Sequence, residues 1–299
     1  MSNARAFVDQ RVGDVDAAAA VADIAAETWG LTRPVLLRHG MNVIFRSRDV
    51  VIRVASPSVP ASCSIDLALA LAEHGIPVVA PARSDVVVAN GLSATVWEHV
   101  ESSGDPIDWQ TVGSIVHQVH GLSSSDLPAS VPTPSPAVFP WWDFAQLLED
   151  VDAVLDPGAR DGLRAVLERW SDWQDWDESD AVVCHGDVHP GNVIMTNDGP
   201  VVIDWDLLCM APAGWDHAPL MTWTERWGGE PGIYEAFAEG AGGSLRGDAR
   251  AEALAELRLV AATLMRVKAG MSDPAARPEA DRRLAHWRGD LDAPIWRAQ

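Results

Sequence analysis

Cysteine is nearly absent. Cys63, Cys184 and Cys209 are odd in number and carry no metal-ligand spacing, which argues against a disulfide framework. Long apolar runs are missing too, and the N-terminus has no basic region followed by an apolar core, so nothing reads as a membrane span or a secretory leader. A cytoplasmic protein is the expectation. Basic residues are few: 22 Lys and Arg stand against 43 Asp and Glu, a net charge of -21. That balance argues against nucleic acid or anionic membrane as a partner and favours the approach of cationic small molecules, although acidity also serves solubility. No Gly-x-x-x-x-Gly-Lys-Ser/Thr run occurs, and Gly240-Ala241-Gly242-Gly243 does not join a strand to a helix, so neither a P-loop nor a dinucleotide site is supported. A Gly-x-Ser-x-Gly elbow is also lacking, which removes the commonest serine hydrolase signature.

What is present describes a folded chain. Hydrophobic residues at 47% and charged residues at 22% leave no room for general disorder, and 299 residues suffice for one large domain or two lobes. An alanine-rich helical pattern runs from Asp14 to Trp29 and is closed by Gly30. Strands are expected at Val35 to His39, Val43 to Arg46 and Val50 to Val54, then a helix at Ser62 to His74, then short strands at Val78 to Val79, Val86 to Ala89 and Ala94 to Val100. Beyond Gly104 the text turns helical. Helices are expected at Trp109 to His120, Phe144 to Val154, Ala159 to Trp170, Ala218 to Trp227, Ile233 to Glu239 and Arg250 to Ala269, with a Ser- and Pro-rich loop from Ser123 to Pro140.

The chemistry concentrates between Ala181 and Asp206. Ala181 to Cys184, Val193 to Thr196 and Val201 to Ile203 read as short strands, with Asn197-Asp198-Gly199 as the hairpin turn between the last two. Asn192 enters that hairpin and Asp204 leaves it, so the two meet at its open end. An amide carbonyl and a carboxylate there suit Mg2+, which takes few protein oxygens and completes its octahedron with water and phosphate. Asp187 sits on the loop leading into this corner, where a carboxylate can orient a hydroxyl and accept its proton.

His185 and His189, four apart with an acid between, superficially resemble a zinc-hydrolase pair. Gly186, Pro190 and Gly191 would break the helix such a pair requires.

The spacing Asp187 to Asn192, with His185 two residues earlier, is the catalytic-loop arrangement of protein kinases. The local text His185-Gly186-Asp187-Val188-His189-Pro190-Gly191-Asn192, followed by Ile203-Asp204-Trp205-Asp206, resembles the aminoglycoside phosphotransferase family, relatives of choline kinase that phosphorylate small molecules.

The resemblance implies an α+β, bilobal protein-kinase-like fold: a small β-rich N-lobe with one inserted helix at residues 1–96, a hinge at 97–103, and a larger, mostly helical C-lobe at 104–299. It further implies Mg2+, with ATP or GTP as donor. Gly40-Met41-Asn42 is then the turn over the phosphates, with Gly40 and Asn42 as its contacts, and Arg53 is the phosphate-binding cation where protein kinases carry lysine. Asp66, or failing that Glu73, is the acid expected to steady Arg53. Glu98 and Val100 would meet the purine through their main chain. His185 is expected to brace the loop from below, and Asp216 to support it.

His189 occupies the place of a lysine near the transferred phosphate. Asp206 either assists the metal and acceptor or caps the next turn. The acceptor site is expected along the helices after Asp216 and the segment after Pro140, with Trp141, Trp142, Trp223 and Trp227 as flat faces and Glu225 and Glu230 as receivers of amines. An aminoglycoside or other amino-sugar product leads as acceptor. A kinase of a different small alcohol (choline-like, sugar or nucleoside antibiotic) and a nucleotide-binding protein without transferase activity remain the alternatives; oligomeric state is not legible.

Overall fold

The computed structural model describes residues 10–173 and 180–297. Its first helix, α1 (Val15–Trp29), begins where the Asp14 carboxylate accepts from the amides of Asp16 and Ala17, and stops where Gly30 turns left-handed. Its buried face is built from Ala18, Val21, Ala22 and Ala25, small enough to lie flat on a sheet. That sheet is antiparallel, with β1 (Val35–His39), β2 (Val43–Ser47), β3 (Val50–Ala55), β4 (Val87–Ala89) and β5 (Leu92–Glu98) in the order β1, β2, β3, β5, β4. Alternation places Val43, Ile52, Val54 and Val96 on the face beneath α1, and together they form a separate small core.

Helix α2 (Ser62–Glu73) is inserted between β3 and β4. Its Leu67 and Leu71 nonetheless belong to the larger core of the C-terminal part. That part contains α3 (Trp109–His120), α4 (Phe144–Val151), α5 (Pro157–Arg169), β6 (Ala181–Cys184), β7 (Val193–Thr196), β8 (Gly199–Val202) and β9 (Cys209–Pro212). It continues through α6 (Gly214–Met221), α7 (Trp223–Trp227), α8 (Ile233–Gly240), α9 (Ala249–Ser272) and α10 (Arg277–Trp287). Two small ladders, β6 with β9 and β7 with β8, are embedded among the helices.

Several elements differ from the sequence expectation. Val78 and Val79 form no strand; Pro77 and Pro81 remove ladder donors, and only an isolated bridge from Pro81 to Trp97 forms nearby. One helix was expected from Ala218 to Trp227, but the chain makes α6 and α7, separated at Thr222 and with Pro219 inside α6. Strand β9 and helix α10 were not anticipated. α10 is rich in Arg, Glu and Asp, and its buried face mixes Glu279 and Arg283 with Ala280, Leu284, Ala285 and Trp287.

Candidate active site

The hairpin of β7 and β8 sets the site. Val193 pairs with Val202, and the amide of Ile203 donates to the carbonyl of Asn192 at 2.9 Å, so Asn192 and Asp204 leave the ladder side by side. The side-chain nitrogen of Asn192 donates to the main-chain carbonyl of Asp187 at 3.0 Å. Its amide oxygen is thereby left for a ligand. Asp204 takes the left-handed conformation (φ 65°), rare for a non-glycine residue and consistent with backbone constrained by function.

The loop carrying Asp187 is anchored from below. The Asp216 carboxylate, fully buried at the start of α6, accepts from the amides of His185 at 2.9 Å and Gly186 at 2.8 Å and from His120 Nε2 at 3.0 Å. Burial opposes its charge, but these donors hold its pKa below the ordinary value. The His185 ring donates from Nε2 to the carbonyl of Ile203 at 3.0 Å and accepts the Asp187 amide at Nδ1 at 3.1 Å, tying the loop to the segment between β8 and Asp204. Burial keeps this imidazole neutral. Gly186 has φ +96°, and a Cβ there would lie 2.0 Å from the carbonyl oxygen of Leu207, so no other residue fits beneath the turn.

Asp187 is paired on both oxygens. Arg258 Nη2 donates to Oδ1 at 2.6 Å, and His189 Nε2 faces Oδ2 at 3.4 Å. Burial would raise its pKa, but the hydrogen bond from His189 and the charge of Arg258 hold it well below the carboxylate range. His189 Nδ1 accepts the Gly191 amide at 3.0 Å, which places the neutral ring's proton on Nε2, toward Asp187. The imidazole stacks on Trp223 at 5.6 Å, Trp223 stacks on Trp227 at 5.4 Å, and Trp227 meets the edge of Trp296 at 5.3 Å.

A cleft of about 490 Å³ runs between the sheet and the helical part. Gly40, Asn42, Arg53, Glu98, Val100, Asp204 and Asp206 all line it. Residues 40–42 form the loop between β1 and β2, with the Gly40 amide donating to the carbonyl of Asn42. Since His99 pairs with Asp49 across the sheet, strand alternation turns the carbonyl of Glu98 to the opposite edge, beside Val78 and Val79.

The expected partnership of Arg53 with Asp66 is replaced by another. Arg53 pairs with Asp206, whereas Asp66 accepts a hydrogen bond from Ser130 at 2.8 Å. Asp66 is half-buried on α2, and Glu73 lies exposed at its end. Asp206 thus lines the cleft as the partner of Arg53. Burial pushes the pKa values of Asp204 and Asp206 up, and Arg53 offsets this only in part. Such crowding of carboxylates, Asp206 buried and Asp204 open to the cleft, beside a free amide oxygen fits a divalent cation, which would relieve it.

Of the tryptophans expected at the acceptor site, Trp142 is buried in the core against Trp215, and Trp141 stacks on Phe139. Trp223 lies nearly parallel to both His189 and Trp227. Glu225 and Glu230 are exposed. Both ring nitrogens of His185 are engaged by main-chain groups. Sequence reading missed Arg258. Its signal was a lone charge inside Leu257-Arg258-Leu259-Val260, the same kind of interruption that marked Arg53.

Fold and site together have the layout of a kinase-like phosphotransferase. The family model described as the phosphotransferase enzyme family matches residues 42–254, and the chain belongs to that family. Among curated proteins no sequence matches. Solved structures share the fold at low identity. The spectinomycin phosphotransferase APH(9)-Ia, in complex with ADP and spectinomycin, is 14% identical with a TM-score of 0.63, covering 88% of this chain and 94% of that one. A choline/ethanolamine kinase family protein from Mesorhizobium loti is 19% identical with a TM-score of 0.64, over 92% and 94%. The amicoumacin kinase hAmiN, in complex with AMP-PNP and Ca2+, is 13% identical with a TM-score of 0.67, over 94% and 97%. No helix among the described residues is long and apolar enough to cross a membrane.

Proposed function

We propose that this protein transfers the terminal phosphate of ATP or GTP to a hydroxyl of a small molecule, with an aminoglycoside or other amino-sugar product as the leading acceptor class. One observation carries the reading: Asp187, Asn192 and Asp204 gather where the β7–β8 hairpin opens into a cleft that Arg53 and the Gly40 turn also line. In this division residues 1–96 and 104–299 are the two lobes, and 97–103 join them.

The residues then divide the work. Glu98 and Val100 receive the purine edge, and Arg53, steadied by Asp206, holds phosphate oxygens. Asn192 and Asp204 would hold Mg2+, which neutralises phosphate charge when bound. Asp187, ionised at neutral pH, orients the acceptor hydroxyl. As the new oxygen–phosphorus bond forms and the bond to the departing nucleoside diphosphate breaks, the hydroxyl proton passes to that carboxylate. His189, its Nε2–H aimed at this corner, lies where the terminal phosphate arrives. Support for an amine-bearing acceptor comes from the net charge of -21 and from Glu225 and Glu230, exposed on and just after the short helix that carries Trp223.

The test incubates the protein and its Asp187→Asn variant with Mg2+, ATP or GTP, and a panel of amino sugars, nucleosides and amino alcohols, with mass spectrometry reading the phosphate adduct. A folded variant slower by about 10²- to 10⁴-fold is expected. No product from any acceptor with the parent protein would leave nucleotide binding without transfer as the better reading.

A further inference from the structure

The family match ends at residue 254, four residues before Arg258 in the middle of α9. From there the arginine reaches the catalytic loop. Nη1 donates to the main-chain carbonyl of Gly186 at 3.0 Å while Nη2 donates to Asp187 Oδ1 at 2.6 Å. Its guanidinium carbon lies 5.3 Å from the centre of the Trp215 ring, and the side chain is 17% exposed. Trp215 in turn donates from its indole nitrogen to that same Gly186 carbonyl at 3.2 Å.

A planar fork that grips the carbonyl of one residue and the carboxylate of the next ties the side chain to its own backbone. Rotation of the Asp187 carboxylate would break one prong. The two oxygens consequently become unequal. Oδ1 is taken by the short bond to Arg258, whereas Oδ2 has longer contacts among the described residues, 3.4 Å to His189 Nε2 and 3.5 Å to Asn192 Nδ2. An incoming hydroxyl displaces least by approaching Oδ2, between the histidine and the metal-facing asparagine.

We infer that Arg258 is a positioning residue that clamps Asp187 through Oδ1 and so presents Oδ2 to the acceptor hydroxyl. This rests on the reading of Asp187 as the group that receives that hydroxyl. Lysine cannot substitute fully, because a single ammonium has no fork to span the Gly186 carbonyl and the carboxylate in one plane.

The experiment measures steady-state kinetics with an acceptor found by the panel, for the parent, Arg258→Ala, Arg258→Lys and Asp187→Asn. Arg258→Ala is expected to lower kcat about 10- to 100-fold, the usual cost of misplacing a reacting group, with the nucleotide KM within about twofold. Arg258→Lys falls between. Millimolar methylguanidine restores part of the lost rate to Arg258→Ala and none to Asp187→Asn. A parental kcat in folded Arg258→Ala, beside an inactive Asp187→Asn, overturns the inference and leaves the role of Asp187 standing. Should Arg258→Ala not fold, a parental kcat in Arg258→Lys overturns it equally. An active Asp187→Asn removes the role of Asp187 and the inference with it.

Discussion

His217 is 2% exposed, and its Nδ1 lies 3.2 Å from the hydroxyl of Tyr234, which itself accepts the Leu245 amide. The tyrosine proton is therefore free to bond the neutral imidazole. Burial, with the nearby His120, lowers the His217 pKa to about 4, against the partial opposition of Asp216. An unfolded histidine titrates near 6.5, so the unfolded chain binds the proton first. Stability from the neutral ring is complete above pH ~6.5 and is lost as pH falls toward 4, by up to about 3 kcal/mol. Urea midpoints of the parent and of His217→Gln should accordingly diverge at pH 7 and converge near pH 4.5; a pH-independent gap would show that the ring is not held neutral. The same residue-level logic applies to Asp206. Asp206→Asn leaves Arg53 with a weaker partner, and a nucleotide KM raised about tenfold with kcat changed less is expected, since one charge-assisted contact is worth roughly 1.5–3 kcal/mol and water and phosphate recover part of it. An unchanged KM would deny Asp206 the role here given to it.

Helix packing sets which changes an element tolerates. α3 and α8 touch backbone to backbone: a Cβ at Gly240 would lie 1.8 Å from the carbonyl oxygen of Gln110, and one at Gly113 would lie 2.0 Å from that of Phe237. Gly240→Ala must separate the helices and should cost about 1–3 kcal/mol or more. Gly13→Ala, where a Cβ meets nothing within 4 Å, should shift stability by under about 0.5 kcal/mol, and equal melting temperatures for the two variants would contradict the contact. Elements with a strong local signature were legible beforehand. Asp14 and Gly30 bracket α1, Asn197-Asp198-Gly199 turns one hairpin, and the five-residue step from Asp187 to Asn192 named the corner. What stayed hidden depends on distant packing. α10 buries Glu279 and Arg283 among its apolar residues, so no clean stripe announces it, and β9 is four residues long and gains strand character only by pairing with β6. Asp206 lies 153 positions from Arg53 and Arg258 lies 71 from Asp187, separations at which no local pattern selects one acid or base over its neighbours.

Among the described residues most buried apolar side chains fall into two clusters of unequal quality. The sheet and α1 are closed by alanines, valines and a few larger groups, whereas the helical part buries Trp142, Trp215, Trp296, Phe139 and Phe237. Less apolar area per residue means less stabilisation, so the sheet lobe should open at lower free energy than the helical part. The cleft is lined from both sides, by Ile44, Val51 and Arg53 from the sheet and by Ile194, Val202 and Asp204 from the hairpin, while Leu67 and Leu71 of α2 already anchor one edge of the sheet lobe in the larger core. A nucleotide that bridges these walls must stabilise the weaker lobe most. Calorimetry of the protein alone should show a first transition from the sheet lobe ahead of the main one. Mg2+ with a non-hydrolysable nucleotide at 100 times its Kd adds about 2.7 kcal/mol to the state that binds it, moving the first transition toward the second. EDTA should reverse that shift. If instead both transitions rise together, the two clusters unfold as one cooperative unit, and the cleft is a groove in a single body and not a joint between two.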